Sequence, residues 1–279
     1  MRQPRAKIGQ VRDRIYRVWR AGVGLGLLLL LSGCASNLSY HWRWEVISPW
    51  DPQGKANFLY LVAGFPVTLE ITALSIVFGI LFGLVIAFLR LSRFTIKIGR
   101  IELKVYLLFH LLIRVYQEVL RNVPLFTLML WMYFAAPIIT PIETDPYLAV
   151  VLTLSITAAA FMSEVFRAGI ESIDRGHIEA ARSLGMSGWQ TMRRIVLPQA
   201  IRRVLPPITS EFVIIVKASS IASFVGVAEL TRRAFQIIAG PLTQTRQPEI
   251  YAFLTLEYLI ILVTLSRFSQ WLEKKTAIP

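Results

Sequence analysis

The chain has 279 residues, of which 55% are hydrophobic, and its mean hydropathy is +0.56. The apolar residues are concentrated in runs of about 18 or more with few charges, which is typical of membrane-spanning helices and excludes a pair of ordinary soluble domains. The net charge is +13, but the cations fall between the apolar runs rather than on one soluble face, so we expect no nucleic-acid partner.

Residues 1–57 comprise a basic N-terminus, an extra hydrophobic segment and a linker. Residues 1–20 carry seven Lys and Arg, whereas residues 21–40 carry no charge. Three interpretations of 21–40 remain open: a retained helix, which we favour, a secretory signal, or a lipoprotein signal. The last rests on Leu31-Ser32-Gly33-Cys34, which resembles a lipobox and would make Cys34 a lipid anchor. The tryptophan-rich linker 41–57 is typical of a membrane–water interface.

Five further apolar segments predict five membrane spans, at 58–89, 106–137, 147–167, 204–228 and 250–266. With the N-terminus inside, the segments on the cytoplasmic side hold 22 Lys and Arg and the opposite segments hold 5. The positive-inside rule therefore predicts six spans with both ends cytoplasmic, or five if 21–40 is cleaved. We predict an all-α polytopic membrane protein with a five-helix domain at 58–272 and a cytoplasmic tail at 273–279.

The longest polar stretch, 169–203, has the pattern of a helix, a break and a second helix, on the predicted cytoplasmic side. The break is expected at Gly185, because glycine readily adopts a left-handed helix end. The other predicted features are, in order, a helix start at Asp174, an apolar face of Ile178, Ala181 and Leu184, a cap at Ser187, and an end or kink at Pro198.

The same stretch carries a family motif. Glu179-Ala180-Ala181 is followed at fixed spacing by Gly185, Ile195 and Leu197-Pro198. This pattern resembles the EAA loop of ABC importer permeases. The resemblance implies a five-helix type I importer permease whose loop lies in a groove of a nucleotide-binding subunit and transmits ATP-driven closure to the membrane helices.

Two flanking segments, Glu118–Leu125 and Ser163–Gly169, are similar to patterns of the polar amino acid branch, which includes histidine, glutamine and glutamate permeases. The resemblance implies a polar amino acid as substrate. Asn122-Val123 and Ala218 depart from the branch pattern, and the first 57 residues lie outside the resemblance. These departures leave the identity of the amino acid open.

Ionisable residues inside the predicted spans form two sets. Glu118 and Arg121, and likewise Glu164 and Arg167, are three residues apart, which predicts structural ion pairs on one helix face. The deeper set is a candidate substrate path or a means of fixing the bundle, and it comprises Glu211, Lys217, Ser219 and Ser220. Gly79 and Gly83 form a small-xxx-small pattern, which indicates helix packing or a subunit interface.

The sequence has no P-loop motif, no HExxH motif, one cysteine and three scattered histidines. It therefore predicts no metal site and no cofactor, and we expect ATP hydrolysis on a separate subunit. The resemblance implies a multi-pass protein of the bacterial inner membrane that works with ATPase subunits, an identical or homologous second permease subunit and an external solute-binding protein. The alternatives are an importer of another small polar solute, an ATP-independent transporter or channel, and a lipid-anchored interaction protein.

Overall fold

The computed structural model describes residues 40–91, 96–98, 101–103, 105–140, 145–241 and 243–276. The hydrophobic segment before residue 40 and its candidate anchor Cys34 lie outside these ranges.

A long broken helix opens the described core. A 3-10 turn, Trp44–Ile47, precedes helix α1, Pro52–Val62, which begins where the Asp51 carboxylate accepts a hydrogen bond from the Gly54 N–H at 2.8 Å. Helix α2, Phe65–Leu91, follows after a break at Gly64. A side chain at Gly64 would lie 2.8 Å from the backbone nitrogen of Leu230, so glycine permits this close approach.

The second span is bent rather than continuous, which corrects the single helix predicted from residue 106 to 137. A short antiparallel hairpin of β1, Ile96–Ile98, and β2, Ile101–Leu103, leads into helix α3, Val105–Asn122. After Pro124 the chain continues as α4, Leu125–Leu130, a π turn, Trp131–Ala135, and α5, Ala136–Ile139. The two halves meet at 108°, because proline disfavours helical backbone in the residue before it and has no N–H for the preceding turn.

The remaining elements run from residue 146 to the C-terminal region. Helix α6, Pro146–Glu171, is followed by the short α7, Arg175–Ser183. Helix α8, Gly188–Thr191, a π turn, Met192–Val196, and α9, Leu197–Ser219, form one continuous rod. A 3-10 turn, Ser220–Val225, leads to α10, Leu230–Ile238. A further 3-10 turn, Gln244–Arg246, then leads to α11, Gln247–Thr276.

The described residues contain four helices that are long and apolar enough to cross a membrane, or five when the bent pair counts as one span. They are 52–91, the pair 106–122 and 125–139, 146–171, 188–225, and 244–275. These correspond to the five predicted spans, so the all-α five-helix core is confirmed.

Helix α6 lies at the centre of this bundle. In its most apolar stretch 61% of residues are buried, against 28–39% in the other three long helices. Helix α2 packs closest to it, since a Cβ atom at Gly79 would lie 2.6 Å from the Ala158 Cβ and one at Gly83 would lie 2.7 Å from the Met162 Cβ. The small-xxx-small pattern therefore serves packing within the chain.

Helix α10 is held against α11 by a buried carboxylate. Glu229, which is wholly buried, precedes α10 and accepts hydrogen bonds from the Arg232 N–H at 2.8 Å and from the Tyr258 hydroxyl of α11 at 2.9 Å. A carboxylate in this position satisfies N–H groups that have no partner inside the helix.

Candidate functional site

Helix α7 is a short helix whose two ends are set by local hydrogen bonds. Asp174 accepts from the Gly176 N–H at 2.7 Å, which opens the helix. At the other end Gly185 has φ +77°, its N–H donates to the Arg182 carbonyl at 3.0 Å, and the Met186 N–H donates to the Ala181 carbonyl at 3.1 Å. This is a Schellman motif, in which a left-handed glycine satisfies the last carbonyls of a helix.

The next helix starts only two residues later, through a reciprocal cap. The Gln190 N–H donates to the Ser187 hydroxyl at 3.2 Å, and the Ser187 N–H donates to the Gln190 side-chain carbonyl at 2.8 Å. Such a capping box satisfies two otherwise free N–H groups. The predicted helix, break and helix are therefore confirmed, with the break at Gly185.

The motif residues of α7 divide between a buried and an exposed side. Ala181 is buried, whereas Glu179 and Ala180 are exposed. The helix is joined to the start of α9 through an apolar cluster that comprises Ile173, Val196 and Ala200, with Ile170, Ile178 and Met192 packed against it. The exposed side of α7 therefore presents Glu179 beside the small Ala180, where another molecule can reach both.

Leu184 does not lie on the buried apolar face predicted for α7. It is 84% exposed, because it follows the last helical residue and the backbone there turns toward Gly185. Trp189 on α8 is 69% exposed, and the sequence analysis did not single it out. The exposed side of the turn thus carries two large apolar side chains in addition to Glu179, a composition typical of a protein-binding surface.

Pro198 does not end the second helix, which corrects that part of the prediction. The π turn Met192–Val196 lies immediately before it, and the Leu197 N–H donates to the Met192 carbonyl, five residues back. The wider turn accommodates the residue without an N–H, so Ile195, Leu197 and Pro198 lie within one rod that runs from the loop into the span.

A largely apolar cavity of about 230 Å³ that carries two charged side chains lies between α3, α4, α6 and α9. Arg121 of α3 and Glu211 of α9 both line it, together with Thr157 and Phe161 of α6. The Arg121 guanidinium carbon lies 5.5 Å from the centre of the Phe161 ring, a cation–π distance. The cavity therefore exposes one cation and one anion to the same small space.

Glu118 and Arg121 do not form the ion pair predicted from their spacing. Arg121 lies over Phe161, and the Glu118 carboxylate accepts a hydrogen bond from the Asn122 amide at 3.2 Å. The contact with the aromatic ring of α6 takes Arg121 away from Glu118. Arg121 lines the cavity, a position that could not be predicted from the sequence because Phe161 and Glu211 are distant in the chain.

The other members of the candidate path are not brought to this cavity. Lys217 is exposed on α9 and does not line it. Ser219 is wholly buried and donates to the Val216 carbonyl at 2.7 Å, while Ser220 donates to the Lys217 carbonyl at 2.8 Å. Both hydroxyls thus bond their own helix, as serines in membrane helices commonly do.

The predicted Glu164–Arg167 ion pair is present and belongs to a larger group. Glu164 also accepts from the Arg90 guanidinium of α2 at 2.7 Å, and Arg167 also pairs with Glu171. Within the described ranges, no cluster of three or more His, Cys, Asp or Glu side chains is placed to hold a metal ion.

Sequence comparison finds relatives across most of the chain. The glutamine transport system permease protein of Escherichia coli is 35% identical over 236 residues, which cover 84% of this chain and 98% of that protein. The glutamate/aspartate import permease protein of Escherichia coli is 31% identical and covers 85% and 100%. The arginine transport system permease protein of Bacillus subtilis is 32% identical and covers 74% and 88%.

Solved structures show the same architecture. A crystal structure of an amino acid ABC transporter with histidines is 32% identical, has a TM-score of 0.69 and covers 78% of this chain and 94% of that one. An inward-facing methionine ABC transporter matches in fold, with 21% identity, a TM-score of 0.61 and coverage of 79% and 98%. The family model of the binding-protein-dependent transport system inner membrane component matches residues 106–278. The chain therefore belongs to the family of binding-protein-dependent transport system inner membrane components.

Proposed function

We propose that the chain is the permease subunit of an ABC importer that carries a polar amino acid across a bacterial inner membrane. The observation that carries this proposal is the turn from α7 to α8, where Glu179 and Ala180 are exposed beside a left-handed Gly185. Amino acid permeases among the relatives support the substrate class.

The partners follow from the same surface. Without a P-loop motif the chain needs separate ATPase subunits, and the exposed turn at α7 supplies a contact for them on the predicted cytoplasmic side. A second permease subunit, identical or homologous, and an external solute-binding protein complete the proposed importer. The chain itself is then a conduit rather than an enzyme.

The cavity between Arg121 and Glu211 supports an amino acid rather than an uncharged solute. An α-carboxylate pairs with the Arg121 guanidinium, and an α-ammonium pairs with the Glu211 carboxylate. A volume of about 230 Å³ is below that of pockets for drug-sized ligands, so it suits one small molecule. A site between helices, opened to each side in turn, is what alternating access requires.

Uptake by the reconstituted importer tests the proposal. The permease, with its ATPase and binding protein in liposomes, is expected to accumulate radiolabelled glutamine, glutamate or arginine only with internal ATP. Glu179→Arg abolishes this uptake because it reverses the charge at the proposed ATPase contact. Glu45→Arg, an exposed charge reversal in the turn Trp44–Ile47 at the other end of the bundle, leaves it unchanged.

Two results contradict different parts of the proposal. Uptake that needs no ATP and persists in Glu179→Arg contradicts the ABC importer function and favours a secondary transporter. ATP-dependent uptake of a sugar, with none of the amino acids, overturns only the substrate class.

A further inference from the structure

A single guanidinium joins three helices at the predicted cytoplasmic end of the bundle. Arg90, in the last turn of α2, donates to the Gln117 side-chain carbonyl of α3 at 2.7 Å and to the Glu164 carboxylate of α6 at 2.7 Å. The Gln117 amide in turn donates to the Ser163 hydroxyl at 2.8 Å. We call these four residues the Arg90 clasp.

The clasp is continuous with the helix end that leads into α7. Glu164 pairs with Arg167, and Arg167 pairs with Glu171, the last residue of α6. Asp174, which opens α7, comes three residues later. A displacement of α7 therefore acts on the charged end of α6, to which the clasp is attached.

Two helices of the clasp also line the cavity between Arg121 and Glu211. On α3, Arg121 comes one helical turn after Gln117, and on α6, Phe161 comes two residues before Ser163. Arg121 and Phe161 contact each other and line the cavity. The clasp thus shares α3 and α6 with the cavity, and α6 also leads into the loop.

Burial makes the clasp an element with discrete arrangements. Gln117 and Ser163 are 6% and 1% exposed, and the side chains of Arg90 and Glu164 are 24% and 31% exposed. If α2 or α3 slides along α6, Gln117 and Ser163 lose their partners while shielded from water, and Arg90 and Glu164 lose a charge-assisted hydrogen bond, which is costly. They therefore either keep this arrangement or exchange to another set of partners.

We propose that Arg90 is a positioning residue that couples movement of the α7 loop to the shape of the Arg121–Glu211 cavity. This inference rests on the proposed function. When the loop is displaced, α6 carries α2 and α3 with it through the clasp. Without Arg90 the ATPases still close on the loop, but the cavity no longer follows.

The ratio of ATP hydrolysed to amino acid transported measures this coupling. For Arg90→Ala in the full reconstituted importer, we expect binding-protein-stimulated hydrolysis to persist while the ratio rises about fivefold or more, the lower end of ordinary coupling between sites. Arg90→Lys keeps a cation at the clasp and restores part of the coupling. The matched control is Arg114→Ala, because Arg114 is exposed on α3 and does not belong to the clasp.

The outcomes distinguish failure of the coupling role of Arg90 from failure of the proposed importer function. No ATP-driven uptake by the unaltered importer refutes the proposed function. Normal uptake with an unchanged ratio for Arg90→Ala refutes the coupling role alone. If Arg90→Ala fails to assemble, Gln117→Met is tested instead, because it removes the second acceptor of Arg90. An unchanged ratio of ATP hydrolysed to amino acid transported in that variant also refutes the coupling role. A proportional loss of hydrolysis and uptake shows a merely structural role and overturns the inference.

Discussion

Gly79 and Gly83 allow α2 to approach α6 so closely that neither position has room for a Cβ atom. The atoms that a side chain would meet are the Cβ atoms of Ala158 and Met162, which are fixed to the α6 backbone and cannot rotate away. Close backbone approach through small residues is a main source of helix association in a membrane, because lipid provides no hydrophobic drive between helices.

Gly79→Val is therefore expected to destabilise the bundle by about 1–3 kcal/mol, the usual cost of overpacking a core. Val77→Leu changes volume on the exposed side of the same helix and serves as the control. Thermal unfolding of the purified protein in nanodiscs measures both. Equal melting temperatures for Gly79→Val and the unaltered protein contradict the close packing of α2 on α6.

Residues whose roles are local could be predicted from the sequence, and residues whose partners are distant in the chain could not. Asp174, Gly185 and Ser187 act on backbone groups within a few residues of themselves, so spacing alone reveals them. Arg121 was assigned to Glu118 because the two are three residues apart, whereas its observed neighbour is Phe161, forty positions away. Only tertiary packing determines such a contact.

Among the elements, the turn between α7 and α8 depends most on one backbone conformation. Gly185 has φ +77°, which β-branched residues adopt only with strain. Gly188→Ala is a matched control, because an added Cβ there makes an ordinary contact of 3.6 Å with Arg182 and suits the first turn of a helix.

Gly185→Val is expected to weaken the association of the permease with its ATPase about 5- to 150-fold, corresponding to roughly 1–3 kcal/mol of strain at an unfavourable backbone position. Affinity is measured by titrating the purified ATPase against the permease in nanodiscs. Tight binding by Gly185→Val would show that the left-handed turn is dispensable for docking, whereas weakened binding by Gly188→Ala would show general sensitivity of the loop.

The prolines show why element boundaries were harder to predict than elements. Pro124 breaks its helix and produces a bend of 108°, yet Pro198 lies inside a continuous rod. Both residues lack an N–H, but Pro124 stands at the N-cap of a new helix, whereas Pro198 follows a π turn that carries the helix on. The spans themselves were predictable because long apolar runs are a property of composition, independent of such local choices.

For the whole molecule, the predicted orientation has a direct test. Cys34 is the only cysteine, so Cys34→Ser gives a background in which a single new thiol is labelled. A membrane-impermeant maleimide is expected to label Gln53→Cys in intact cells and Ser183→Cys only after the membrane is opened. Both positions are exposed in the fold, so access reports the side of the membrane. Labelling of Ser183→Cys from outside would invert the predicted topology.

The π turn at Met192–Val196 also fixes a rotational phase between the two ends of one rod. Each residue of an α-helix advances by about 100°, so the turn, which closes over five residues instead of four, offsets the faces of α8 and α9 by about one such step. Trp189 points outward from the loop and Glu211 into the cavity across this offset. If the same residues formed a regular α-helix without the π turn, both surfaces would keep their residues but would face directions that differ by about 100° from those observed.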